Sequence, residues 1–286
     1  MKTSLEHLPE KHQAEINHIL GMIREVLHPE MVILFGSYAK GRQVNHRYTG
    51  GDGVLYEYIS DYDFLVIVSK VTTEVRELEW VIEEKASIYE TPVNLEIHEI
   101  EYINQGLEVG QYFFTDIIKE GVLLYDSQKV SFANARALDA KEKGSIAAQY
   151  FNFWHKQGVE FLIDATNAYQ RGSLKNAAFY LHQAAESFYY SVLLVFTEYK
   201  PKAHNLKKLR KKAKHISEDF YLLFNVESNK NDKHLFELLK RSYIDARYHI
   251  NFEILVEEVG TLRDYILRME TKAKELCSAK IAHLVQ

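Results

Sequence analysis

Ile33-Leu34-Phe35-Gly36-Ser37-Tyr38-Ala39-Lys40-Gly41-Arg42, followed by Ser60-Asp61-Tyr62-Asp63-Phe64-Leu65-Val66-Ile67-Val68, decides how the first half of the chain is read. One apolar run ends in Gly-Ser, and the next begins with two carboxylates separated by one residue. Residues two apart on a strand share a face, so Asp61 and Asp63 project together and Tyr62 turns the other way. Paired hard oxygen ligands suit a divalent cation such as Mg2+ or Mn2+, with substrate phosphates completing its shell. A Gly-Ser turn can present backbone N–H groups and a hydroxyl to a phosphate. Together the two segments point to nucleotide chemistry.

Working outward, Leu8, Ile16, Ile19, Leu20, Ile23 and Val26-Leu27 recur at helical spacing and predict a helix over 6–28. Met31 to Phe35 reads as a buried strand, with a short helical turn after Gly36-Ser37. Tyr48 to Tyr58 reads as a hairpin about a Gly-rich turn, an insertion at 43–59 that serves as a flap or as plain decoration. Phe64 to Val68 reads as a central strand, 72–88 as a helix, Val93 to Ile97 as a strand opened by Pro92, 101–119 as a helix and Val122 to Asp126 as a last strand. This is an α+β domain with a mixed sheet, over 1–128. Beyond 140 the periodicity is helical throughout, at 144–171, 173–198, 204–214, 217–228, 232–249 and 252–277. An all-α bundle over 140–280 follows.

Composition bounds the function. Of the 286 residues, 47% are hydrophobic and 26% charged, as in a globular protein. The net charge of −5 disfavours broad binding to nucleic acid through phosphate attraction. Cys277 is the single cysteine, so no intramolecular disulfide forms, which fits a reducing cytoplasm. The first residues show no apolar signal region, and no run approaches the ~18 apolar residues of a membrane span, so no membrane partner is expected.

The ordered Gly-Ser turn and Asp-x-Asp strand resemble the DNA polymerase beta-type nucleotidyltransferase superfamily, most closely its minimal domains. The resemblance implies a Mg2+-dependent transfer of a nucleoside monophosphate from an NTP to a hydroxyl on a small molecule or protein. Asp61 and Asp63 then hold the metal, while Gly36 and Ser37 hold the β- and γ-phosphates. Such enzymes add a third carboxylate from a neighbouring strand. On Val93-Asn94-Leu95-Glu96-Ile97-His98, alternation puts Asn94, Glu96 and His98 on one face. Glu96 is the only acid among them and is the candidate third catalytic and metal-binding residue; alternatively Asn94 occupies that acid's place, leaving the site weakened. Arg42 is a candidate for phosphate, and Lys40 is read as a solvated helix charge.

In the second half, Asn176-Ala177-Ala178-Phe179-Tyr180-Leu181-His182-Gln183-Ala184-Ala185-Glu186-Ser187-Phe188-Tyr189-Tyr190 interleaves small and aromatic residues. His204-Asn205-Leu206 and Ser242-Tyr243-Ile244-Asp245-Ala246-Arg247-Tyr248-His249 follow. In this order they resemble the HEPN domain, over about 145–275. Many HEPN domains are ribonucleases whose Arg and His stand four to six residues apart. Arg241 with His249, and Arg247 with His249, both miss that spacing, so ribonuclease activity is not expected. Arg247 remains a candidate nucleotide-binding residue, against an ion pair with Asp245 or Glu253 and a packed Tyr248. The basic run at 207–214 reads first as a solvated helix face. The resemblance implies a homodimer. A nucleotide-binding module without turnover is the alternative to an active transferase.

Overall fold

A computed structural model describes residues 1–49, 55–200 and 205–285; the side chains of 46–48, 55–58 and 76 stand outside that description. The Gly-rich turn expected at 50–54, together with Pro201 and His204, lies outside the described residues. The chain forms two compact units: Met1–His46 with Tyr58–Ala137, and Arg47–Glu57 with Leu138–Gln286.

The first unit is built on a four-stranded mixed sheet. Its strands are β1 (Met31–Phe35), β4 (Tyr62–Val68), β5 (Val93–Glu99) and β6 (Val122–Asp126), and β2 (Asn45–Thr49) and β3 (Leu55–Ile59) pair separately. The order is β5-β4-β1-β6, with β1 antiparallel to both neighbours and β4 parallel to β5. Every residue of β4 is buried, as its unbroken apolar run requires. Helix α1 (Glu10–Leu27) lays Ile16, Ile19, Ile23 and Leu27 on one face of the sheet with Val32, Leu34, Phe64, Val66 and Leu95. Helix α2 (Gly36–Lys40) follows β1 directly, and α3 (Thr73–Lys85) links β4 to β5.

The helix expected at 101–119 is two helices, α4 (Ile100–Glu108) and α5 (Tyr112–Glu120). Gly110 adopts φ +78°, and the Gln111 N–H folds back to Gly106 O at 2.8 Å. A left-handed glycine ends the first helix where apolar spacing alone suggested continuation.

The second unit is a bundle around α6 (Ala140–Gln170), α7 (Leu174–Thr197) and α12 (Val256–Leu284). The interleaved small and aromatic residues of α7 pack as expected: Ala177, Ala178, Ala184 and Ala185 are buried beside Phe188, Tyr189 and Tyr190. Gly158 on α6 admits the Phe188 ring so closely that a Cβ there would lie 2.5 Å from Cε1. Helix α6 starts earlier than periodicity indicated because Asp139 caps it, accepting from the Glu142 N–H at 2.7 Å while Glu142 Oε2 accepts from the Asp139 N–H.

Helix α8 (Leu206–Ala213) buries Leu206, Leu209 and Ala213. The two expected helices at 217–228 and 232–249 are shorter. Helix α9 (Glu218–Tyr221) stops early, and buried Asp232 captures the Asn225 N–H at 2.7 Å. Helix α10 (Lys230–Arg241) is separated from α11 (Asp245–Tyr248) at Ser242, whose buried hydroxyl donates back to Leu238 O at 2.7 Å. No helix among the described residues is long and apolar enough to cross a membrane.

Candidate functional site

The quoted segments meet at one corner of the first unit's sheet. The β1–β4 register pairs Phe35 with Asp63, so the end of β1 and the start of β4 coincide. Gly36 then turns with φ +75°, and a Cβ built on it would lie 2.5 Å from Asp63 Oδ2. Only glycine provides both the left-handed backbone and this approach. Helix α2 ends at Gly41, also left-handed at φ +70°, and the Arg42 N–H reaches back to Ser37 O at 2.9 Å. The Ser37 hydroxyl is buried with no hydrogen-bond partner among the described residues.

Asp61 and Asp63 are 0% and 1% exposed, with an oxygen of one within 4.8 Å of an oxygen of the other. Tyr62 points to the opposite face, where its hydroxyl donates to Glu15 Oε2 at 2.6 Å and stands 2.5 Å from His12 Nδ1. Its ring packs on Tyr38 at 4.4 Å, and Tyr38 meets Thr91 through their hydroxyls at 3.3 Å. Burial is the main cause raising both phenol pKa values, so both remain protonated anchors beneath the acidic pair. This network fixes the direction of the Asp-x-Asp backbone from below.

The third position resolves into two distinct placements. In the parallel β4–β5 ladder Asn94 lies beside Asp63, and its Nδ2 donates to Asp63 Oδ1 at 2.9 Å. Glu96 lies beside Leu65, two pairs further along, and its Oε2 is 3.5 Å from His98 Nε2. His98 stacks on Tyr102 at 4.9 Å. The structure therefore brings Gly36, Ser37, Asp61, Asp63 and Asn94 together, while Glu96 faces His98.

The basic candidates part ways. Arg42 is exposed. Lys40, expected as a solvated charge, instead pairs with Asp116 at 3.0 Å and with Glu120, tying α2 to α5. Burial works against its charge, but hydrogen bonds to Glu120 and Asp116 outweigh that and raise its pKa.

Arg247 belongs to the helical unit. Its Nε donates to Tyr243 O at 2.7 Å, and its guanidinium lies 4.6 to 4.9 Å from the Phe179, Tyr243 and Tyr248 rings. The alternative expected from sequence, Arg247 paired with Asp245 or Glu253 beside a packed Tyr248, differs from these partners. Tyr248 is 71% exposed, and Asp245 holds Arg241 and His249 instead. Buried Asp245 accepts from Arg241 Nε at 2.7 Å through Oδ2, and its Oδ1 lies 3.2 Å from His249 Nδ1. Sequence reasoning passed over this cluster because it counted residues between Arg and His; the signal was an acid four residues from each.

The basic run at 207–214 is not simply solvated. Arg210 is 4% exposed and makes a two-pronged ion pair with Glu227, at 2.9 and 2.8 Å, while Nε donates to Tyr221 O.

Residues 151–277 match the family model of the HEPN domain. No curated protein matches the chain. The helical unit thus carries a HEPN domain, and it follows a mixed α/β sheet region.

Proposed function

We propose that the first unit is a divalent-metal-dependent nucleotidyltransferase that moves a nucleoside monophosphate from an NTP to a hydroxyl acceptor. The observation that carries this reading is the close approach of Gly36 to Asp63, which brings the Gly-Ser turn and two carboxylates into one corner. The donor set fits Mg2+ or Mn2+. Two oxygens on one Mg2+ stand about 2.9 Å apart when adjacent and about 4.1 Å when opposite, given ~2.05 Å bonds. An Asp61 oxygen within 4.8 Å of an Asp63 oxygen is compatible with a shared ion of that size. Such an ion, when bound, neutralises triphosphate charge and orients the reacting groups.

The chain's own residues do the rest. The Ser37 hydroxyl and the backbone N–H groups after Gly36 are placed to donate to phosphate oxygens. Asn94 holds Asp63 through Oδ1 and leaves Oδ2 beside the turn. In the transfer, the acceptor oxygen bonds to the α-phosphorus and the bond to pyrophosphate breaks. An amide rather than an acid beside Asp63 leaves the pair without a third carboxylate at that register position. Turnover is therefore slow relative to binding.

The test is incubation with each NTP and Mg2+, reading pyrophosphate release and nucleotide binding separately. Release abolished by Asp61→Asn with Asp63→Asn supports the transferase. Binding without release in the unaltered protein moves the assignment to a nucleotide-binding regulatory module.

One observation favours a second activity. Asp245 takes Arg241 on one oxygen and His249 on the other, and both of those side chains are exposed. An exposed imidazole and guanidinium gathered by one carboxylate suit RNA phosphodiester cleavage, the activity that the resemblance to HEPN ribonucleases implies. RNA cleavage lost in His249→Ala but kept in the Asp61/Asp63 double variant would support it. No cleavage by the unaltered protein, on structured or single-stranded RNA, would remove it.

A further inference from the structure

We propose that residues 127–137 are a docked strap that shortens a covalent tether to the helical unit, and that Asn104 is its clasp. Between β6 and α6 the chain runs from 127 to 139 without helix or strand. Irregular segments of this length are commonly loose. Here the backbone is pinned at its beginning, middle and end.

At the beginning, the Ser127 N–H donates to Glu30 O at 2.8 Å, and the Ser127 hydroxyl donates to Glu30 Oε2 at 2.6 Å. Lys129 Nζ lies 3.5 Å from the same carboxylate. At the end, the Arg136 N–H donates to Leu107 O at 2.9 Å. Leu107 sits in the last turn of α4, and its carbonyl also accepts from the Gly110 N–H at 3.0 Å, so the strap joins the hydrogen bonding that closes this helix end.

The middle is the clasp. Asn104 Oδ1 accepts from the Ala133 N–H at 2.8 Å, and Asn104 Nδ2 donates to Ser131 O at 3.2 Å. A side-chain amide offers an acceptor and a donor in one plane, as a peptide group does. Asn104 thereby pairs with an extended backbone like one residue of a neighbouring strand. Its helix is anchored by Ile103 and Leu107, both 0% exposed, so the clasp is presented from a fixed base.

The consequence is one of reach. Past Arg136 only Ala137 and Leu138 precede Asp139, the cap of α6. With the strap docked, the free span is two residues, about 7 Å at full extension. Released back to Ser127 it becomes eleven residues, about 36–40 Å. The chain also passes between the units at His46–Arg47 and Glu57–Tyr58, so release lengthens this connection alone. The strap is a conformational latch on the first unit: closed, it leaves two residues of connection before the α6 cap; open, it leaves eleven.

Limited trypsin digestion of the full chain tests this, because Lys129 and Arg136 are both within the strap. Cleavage after these residues should be slow in the unaltered protein and about tenfold faster in Asn104→Ala. Asn104→Asp, which accepts but cannot donate, should fall between them. Ala133→Pro removes the strap's N–H without touching α4 and should match Asn104→Ala. Hydrogen exchange at Ala133 and Arg136 reports docking, and exchange within α4 reports whether that helix remains folded. If α4 is disturbed in Asn104→Ala, Ala133→Pro decides. Equal cleavage rates in all forms, or unprotected amides at 133 and 136 in the unaltered protein, would overturn the proposal.

Discussion

Replacing Gly36 with alanine should damage the acidic corner by an amount that can be divided into two parts. The first is backbone strain. At φ +75° an L-residue costs about 1–2 kcal/mol relative to glycine. The second is the collision with Asp63, whose Oδ2 would lie 2.5 Å and whose Cγ would lie 3.3 Å from the new methyl. Asp63 cannot swing away freely, because Asn94 holds Oδ1 at 2.9 Å. Moving it sacrifices a hydrogen bond to a charged group, worth about 1.5–3 kcal/mol. The total is about 2.5–5 kcal/mol, or roughly 70- to 5,000-fold faster exchange of the β1 and β4 amides if they open together.

Gly172 supplies the control. It has the same φ of +75° but no atom within 4 Å of a built Cβ, so Gly172→Ala should cost only the strain. Denaturant unfolding followed by hydrogen exchange of each unit separates the two effects. In an Asp63→Ala background, Gly36→Ala should fall to about 1–2 kcal/mol, the strain alone. If Gly36→Ala costs no more than Gly172→Ala and leaves Mg2+–NTP binding unchanged, the close approach does not organise the site and the reasoning fails.

Asn94→Asp should lower stability by about 2 kcal/mol without metal, since a donor to Asp63 becomes a like charge; Mg2+ should restore melting temperature more than in the unaltered protein, with faster pyrophosphate release. Glu227 would be raised by burial, yet hydrogen bonds from Arg210, its charge and the Tyr221 hydroxyl hold its pKa below the usual range. Its contribution is complete above the unfolded value of about 4.3 and is lost as pH falls through the lower folded value. Glu227→Gln should therefore cost about 2 kcal/mol at pH 7, with the two stability curves converging in acid. Burial pushes the Cys277 thiol up to about 12, with Ser191 opposing. About one thiol in ten thousand is then ionised at pH 8, so a disulfide reagent should label Cys277 only as the helical unit opens; fast labelling of the native chain would contradict that burial.

Much of this architecture was legible because it rests on short-range patterns. The unbroken apolar run at Phe64 to Val68 could only be a strand buried on both faces, and it is. Alternation placed Asp61 and Asp63 together and Tyr62 behind them without any knowledge of the partners. The small and aromatic residues of 176–190 indicated close helix packing, and Gly158 against Phe188 meets it from the other side. The errors were of another kind. The break at Gly110 and the turn at Ser242 depend on one backbone dihedral and one hydroxyl bonded backwards, neither of which disturbs the apolar period.

Sequence by itself determined which residues could carry chemistry: a Gly-Ser turn, an Asp-x-Asp strand and a helical half of HEPN type. These follow from residue spacing, since strand and helix periods are properties of the local backbone. Tertiary structure alone decided which of those residues meet. The parallel β4–β5 register gave Asn94 rather than Glu96 to Asp63, and Asp245 gathered an Arg and a His eight residues apart. Strand register and side-chain bridging depend on how distant segments pack, so no count along the chain could have fixed either one.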